Sequence, residues 1–228
     1  MDLSYVFIAS NKQNLKSIYQ MKIFQKYLLI INFIALFASC NSKYQKENGK
    51  WVWVSYDESV GKRVHQIDKH DIKSFKILSN ENYAKDKNSV FFVGKKIQNA
   101  DPSTFELIGN GYSKDNNNVY LDNEKVIFAN PKSFKLLDFP YSKDDQHIFC
   151  GTLPLNLKKN EIDEFKVTNT DKYKSGSKST ILFSHFIKKY PEYKWLDTLK
   201  INKIIVGEWG TGKTKNKKFK GFIEKTKK

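Results

Sequence analysis

The stretch YAKDKNSVFFVGKKIQNADPSTFELI, residues 83–108, decides the fold because it recurs. Residues 112–137 read YSKDNNNVYLDNEKVIFANPKSFKLL, and residues 141–155 read YSKDDQHIFCGTLPL. Tyr83, Tyr112 and Tyr141 therefore stand 29 residues apart. Val90, Val119 and Ile148 recur in register, and so do Phe91, Tyr120 and Phe149. The closing ADPSTF at Phe105 returns as ANPKSF at Phe134. A unit this short cannot bury an apolar face alone, so neighbouring units must stack.

Within one repeat, KDKN or KDNNN lies between a tyrosine and a run of β-branched and aromatic residues. Asp and Asn tolerate left-handed backbone and bond nearby amides, which marks a hairpin turn. The run Val90–Val93 then reads as a strand, with Val90 and Phe92 on one face and Phe91 on the other. A second turn leads to short strands at Lys96–Gln98 and Lys125–Phe128. Asp101 and Asn130, each followed by proline, suit the start of a short helical turn that aims Phe105 and Phe134 inward. Cys150 falls in a core slot and reads as an inert small hydrophobe.

Fainter copies flank these. KHDIKSFKIL places Phe75 before Phe105, GKRVHQID resembles GKKIQNAD, NEIDEF brings Phe165, and Tyr173 reads as the start of a degenerate copy. The tyrosine–lysine–aspartate start, the aromatic strand and the A-D/N-P-x-S/T-F close resemble the DKNYY family of bacterial repeat proteins over residues 56–155. That resemblance implies an exported protein, often lipid-anchored. It implies no catalytic residue, because the family has no assigned activity.

Residues 21–43, MKIFQKYLLIINFIALFASCNSK, set two lysines, an apolar run and two small residues before Cys40. This is the three-part layout of an export signal, and the apolar run is too short to span a bilayer. The cysteine after the small pair resembles the lipobox of bacterial lipoproteins, which implies lipidation at Cys40 and cleavage just before it. Residues 1–20 fit no export layout and read as an upstream misread start. With Cys40 carrying lipid, Cys150 has no partner for an intrachain disulfide.

The C-terminal part reads as a helix from about Ser179 to Tyr190, ended by Pro191, then a hairpin of Ile201–Trp209 and Phe219–Glu224. The fold expected is mainly β: tandem β-hairpin repeats of about 29 residues with short helical turns, plus that C-terminal helix and hairpin. The boundaries expected are a signal peptide at 21–39, a tether at 40–50, repeats at 51–170, and an extension with a Lys-rich tail at 171–228.

Hydrophobic residues make up 39% of the chain, which excludes wholesale disorder. The net charge of +16 suits nucleic acid, anionic lipid or polyanionic glycan. An exported chain meets the last two, so no nucleic acid is expected as partner. The segment Gly207–Thr214 matches G-x-x-x-x-G-K-T, with Gly212 and Lys213 in place. A phosphate-binding loop, however, needs a helix starting at its Lys-Thr. The Lys-dense KNKKFKGFIEK that follows reads as a hairpin instead. The histidines (65, 70, 147 and 185) are scattered and read as surface residues, so neither metal nor cofactor is expected.

One candidate binding surface remains. Tyr83, Lys85, Tyr112, Lys114, Tyr141 and Lys143 recur as a stripe suited to a polyanion or another envelope protein. The competing reading packs the tyrosines as an internal ladder with hydroxyls bonded to turns. The function expected is a membrane-anchored, non-enzymatic interaction or scaffold protein of the bacterial cell envelope. The alternatives are an envelope hydrolase acting on wall or carbohydrate material, and a nucleotide-binding protein using residues 207–214.

Overall fold

The computed structural model describes residues 43–169, 177–207 and 209–225. It divides into two compact units. One includes the hairpin segment 54–64, where Asp57 caps its own turn by accepting from the amides of Ser59 and Val60. The other comprises residues 44–53 and everything from His65 onward. Among the described residues no helix is long and apolar enough to cross a membrane.

The fold is mainly β. Strands β1 (Lys43–Glu47), β2 (Lys50–Asp57) and β3 (Gly61–Gln66) form a three-stranded sheet in chain order. Residues 40–50, expected as a tether, are thus strand from Lys43 to Glu47. Tyr44 has its ring buried beside Trp53 and Phe75, and burial of such a ring holds the segment down.

Three four-stranded antiparallel sheets follow, one per repeat. The first joins β4 (Lys76–Ile77), β5 (Tyr83–Lys85), β6 (Val90–Phe92) and β7 (Lys95–Lys96). The second joins β8 (Glu106–Gly109), β9 (Tyr112–Lys114), β10 (Val119–Leu121) and β11 (Glu124–Lys125). The third joins β12 (Lys135–Leu136), β13 (Tyr141–Lys143), β14 (Ile148–Cys150) and β15 (Leu153–Pro154). The central hairpins share one register: Tyr83 pairs with Phe92, Tyr112 with Leu121, and Tyr141 with Cys150.

Alternation sends the two faces of each central hairpin into two successive cores. Ala84 and Phe91 join Tyr44, Trp53 and Phe75. From the other face of that sheet, Tyr83 and Val90 join Phe105 and Tyr120 of the next repeat. Tyr112, Val119 and Leu121 in turn meet Phe134 and Phe149. Tyr141, Ile148 and Cys150 enter the last and largest core. A fully buried residue of these types contributes about 1.5–3 kcal/mol, and both faces are used. Asp101 and Asn130 accept from the amides of Ser103 and Lys132, as caps do, and each opens a single short turn.

The C-terminal part departs from expectation. Residues 179–182, expected in a helix, belong to β17 (Lys178–Leu182), which pairs with β18 (Lys203–Gly207). The helix starts only at Phe183 and runs to Lys189, and a 3-10 segment follows over Pro191–Leu199. A shorter helix, α1, covers Lys159–Glu164; we label Phe183–Lys189 α2. Thr180 and Ile181 are β-branched and pair with Ile205 and Ile204 in a strand, and the helix begins only after Leu182.

β18 is also not the hairpin partner of the tail. A fourth repeat sheet forms instead from β16 (Lys166–Val167), β19 (Thr211–Lys213), β20 (Lys218–Lys220) and β21 (Ile223–Lys225). Its register repeats the others: Val167 pairs with Gly212 as Leu136 does with Ser142, and Thr211 with Lys220 as Tyr112 does with Leu121. The β17–β18 pair and its helices are therefore an insertion inside a repeat, and a boundary at residue 170 cuts that repeat in two.

Candidate interaction surface and the repeated residues

The tyrosines expected on a binding stripe are interior. Tyr83, Tyr112 and Tyr141 are each only 1–2% exposed. Their hydroxyls reach forward to backbone carbonyls of the next layer. Tyr83 donates to Gly111 O at 2.8 Å, Tyr112 to Gly151 O at 3.1 Å, and Tyr141 to Gly221 O at 2.8 Å. Tyr44 starts the series, accepting from the Gly94 amide at 2.9 Å. Burial raises all four phenols well above their ordinary pKa. The stripe reading is thus corrected for the tyrosines, because a strand position sandwiched between two layers has no route to solvent.

The lysines of the same motif are half-buried. The Lys85 ammonium donates to Pro102 O at 2.5 Å, and Lys114 to Pro131 O at 3.3 Å with Glu106 at 3.3 Å. Lys143 holds the equivalent place, paired with Lys135 and Ile148. Burial, together with the neighbouring charge of Lys76, lowers the pKa of Lys85.

Sequence reasoning saw the repeated aspartates only as turn formers, and they do more. Asp86, Asp115 and Asp144 are 3–4% exposed. One carboxylate oxygen closes the hairpin turn: Asp115 accepts from the amides of Asn117 and Asn118, both at 2.7 Å. Its other oxygen accepts from the amide of Asp101 in the preceding loop at 3.0 Å, and from the Tyr120 hydroxyl. Asp86 and Asp144 reach the amides of Asp71 and Asn130 in the same way. Each carboxylate therefore staples its own turn to the loop before it. Asp144 is held below the usual carboxylate range: desolvation would raise it, but the His147 side chain and three backbone amides outweigh that. Gln146 and His147, which break the motif's spelling, still give the turn its two backbone amides, and the His147 ring adds a contact to Asp144 at 3.3 Å.

The phosphate-loop match dissolves on the same geometry. Gly207 ends β18, Gly212 and Lys213 lie in β19, and Thr214 opens a hairpin turn with no helix after it among the described residues. A methyl group on Gly207 would lie 2.0 Å from the Pro140 ring, and one on Gly212 would lie 2.3 Å from the Phe165 ring. Packing accounts for both glycines. Thr214 stands where the other repeats have aspartate, accepting from the amides of Asn216 and Lys217 at 3.3 and 3.1 Å.

Cys150 is fully buried, its thiol pushed up to about 12 by desolvation. His70 is not the surface residue expected. Its ring accepts from the Trp51 amide at 3.2 Å and faces Ile67 O at 2.7 Å, which ties the first sheet to the following loop. Among the described residues no group of three or more His, Cys, Asp or Glu is placed to hold a metal ion. Cys40, the signal segment 21–39, residues 1–20 and Tyr173 lie outside the described residues.

No curated protein and no solved structure matches the chain. The DKNYY family profile matches it twice, over residues 6–124 and 112–227. The second match runs through the insertion and the fourth sheet, beyond the stretch where the motif can be read by eye. Repeated sheets, repeated staples and a profile match along nearly all its length agree that this chain belongs to the DKNYY family.

Proposed function

We propose that this is a lipid-anchored protein of the bacterial cell envelope, held at Cys40, that works as a non-enzymatic interaction or scaffold module. The observation carrying the second half of that reading is how the repeated residues are used. The tyrosine hydroxyl and the aspartate carboxylate, the motif's recurring polar groups, are both engaged inside the protein. What repeats is a device for joining layers. A framework of this kind varies its outer positions freely while its stacking stays fixed.

The address rests on the layout before Cys40, with lysines, an apolar run and small residues in order. Two or three acyl chains on that thiol would hold the protein at a membrane essentially permanently, since each buried methylene contributes about 0.8 kcal/mol.

Radiolabelled palmitate supplied to growing cells tests the address. The wild-type protein takes up label and sediments with membranes, while Cys40→Ser takes up none and is released. Equal labelling of both would sink it. The non-enzymatic half is tested by incubating purified protein with wall polysaccharide and assaying new reducing ends. None should appear beyond the buffer blank, and a protein-dependent rise would support the hydrolase reading instead.

A further inference from the structure

We propose that the outer face of the fourth sheet is a docking surface for a linear anionic glycan. The register sets one lysine on each strand in a single row: Lys166 pairs with Lys213, Lys213 with Lys218, and Lys218 with Lys225. Directly opposed residues point to the same side of a sheet. All four side chains are exposed.

The corresponding rows of the earlier sheets share the first half, Lys76 facing Lys85 and Lys135 facing Lys143, and differ in the second. In the place of Lys218 they carry Val90, Val119 and Ile148, each 0% exposed and packed into the next core. Lys220 likewise replaces Phe92, Leu121 and Cys150. This face receives the following layer in every earlier repeat, and in the fourth sheet it carries charge. A polar end is needed where stacking stops. Polarity alone is served by mixing signs, and like charges directly opposite one another are destabilising. Four cations in one row therefore call for a counter-charge from outside. Among the described residues no ion pair involves Lys166, Lys213, Lys218 or Lys225. The nearby acids are used otherwise. Glu164 accepts from the Lys215 amide, while Glu161 and Glu224 flank Lys217.

Shape selects the class of partner. The row is a line of charges spaced by the strand separation, about 4.8 Å. Shallow clefts of about 470 and 490 Å³ are both lined by Lys213 and Lys218, the first also by Lys166 and Glu164 and the second by Lys220 and Lys225. A furrow of this form cradles a chain better than a flat lipid surface. Every cation in it is lysine, a point charge without the guanidinium fork that reads phosphates or base edges in pairs. No aromatic ring stands in the row to stack on bases; Trp209 sits at the margin, its ring 5.1 Å from the Lys220 ammonium. Carboxylates or sulfates spaced along a polysaccharide match this comb. The preference for a glycan over nucleic acid also leans on the exported address proposed above.

The test titrates the purified full-length chain, in detergent, with fluorescein-labelled polygalacturonate across a salt series. Wild type should bind with a steep salt dependence. K166Q/K213Q/K218Q/K225Q should bind at least about tenfold more weakly, with its logarithmic salt slope reduced by roughly 3. K95Q/K96Q/K125Q/K132Q removes as many exposed lysines elsewhere and should bind like wild type. Equal losses in both variants, or no binding by wild type, overturns the proposal. So does a preference, lost with the row, for phosphatidylglycerol vesicles or a single-stranded oligonucleotide of the same charge. Failure of palmitate labelling would remove the address yet leave this binding result untouched, so the two ideas fail separately.

Discussion

At the scale of single residues, the repeat is held by a hydroxyl and a carboxylate. Tyr112→Phe keeps the ring and deletes one buried bond, leaving Gly151 O without that donor. Urea denaturation should show a loss of about 1–2 kcal/mol. Asp115→Ala removes the acceptor for three amides and the Tyr120 hydroxyl, and should cost about 3 kcal/mol or more, since bonds to charged groups are the stronger kind. Thr214 offers the reverse experiment. Its bonds are longer than those of the aspartates and lysines surround it, so Thr214→Asp should raise stability by about 1 kcal/mol. A loss of stability there would mean the fourth turn is not built like the others.

The residue scale is also where the sequence was most readable. Tyr, Asp and Phe at fixed spacing gave the strands, the turns and the inward Phe105 and Phe134. Whether Tyr83 faced water or the next layer was not readable, because alternation along a strand names two faces without saying that both are covered. Gln146 and His147 looked like a departure from the motif, yet their amides close the turn on Asp144 as Asn117 and Asn118 do on Asp115.

At the scale of elements, the fourth sheet was hidden by the insertion between Val167 and Thr211. A periodicity search expects a tyrosine soon after Phe165 and finds β17, two helical segments and β18 instead. The residues that resume the repeat, Thr211 and Thr214, replace its Tyr and Asp, so they spelled a phosphate loop more legibly than a hairpin. Close packing around the insertion gives a sharp prediction. Gly151 has φ +65°, and a methyl group there would lie 2.1 Å from Ile205 O. Gly151→Ala should lower stability by about 2 kcal/mol or more, seen as an earlier thermal transition. The lysine row predicts the opposite sign. Lys218→Glu places a carboxylate between Lys213 and Lys225 and should stabilise the protein by about 0.2–1 kcal/mol.

At the scale of the whole molecule, the same groups set its tolerance of pH. Asp71 is drawn down to about 2 by the Ser74 hydroxyl and amide, and Asp145 to about 2 by the hydroxyl of Ser133. Asp101 and Asp144 are lowered as well. Depressed carboxylates contribute stability above their unfolded value of about 3.9 and lose it as pH falls through the folded value. Unfolding in acid should therefore fall between about pH 4 and 2. The tyrosines act at the other end. Their folded pKa is raised, so the unfolded chain releases protons first and stability declines from about pH 10 upward.

That last property tests the central claim, that the repeated tyrosines are locked into the layer ahead of them, most directly. Tyrosinate absorbance should be recorded alongside far-ultraviolet circular dichroism as pH is raised. The account predicts an early, partial rise from exposed tyrosines, then a single cooperative step coinciding with loss of β signal, as Tyr44, Tyr83, Tyr112 and Tyr141 ionise only on unfolding. A smooth titration of every tyrosine centred near pH 10, with the β signal intact, would contradict it.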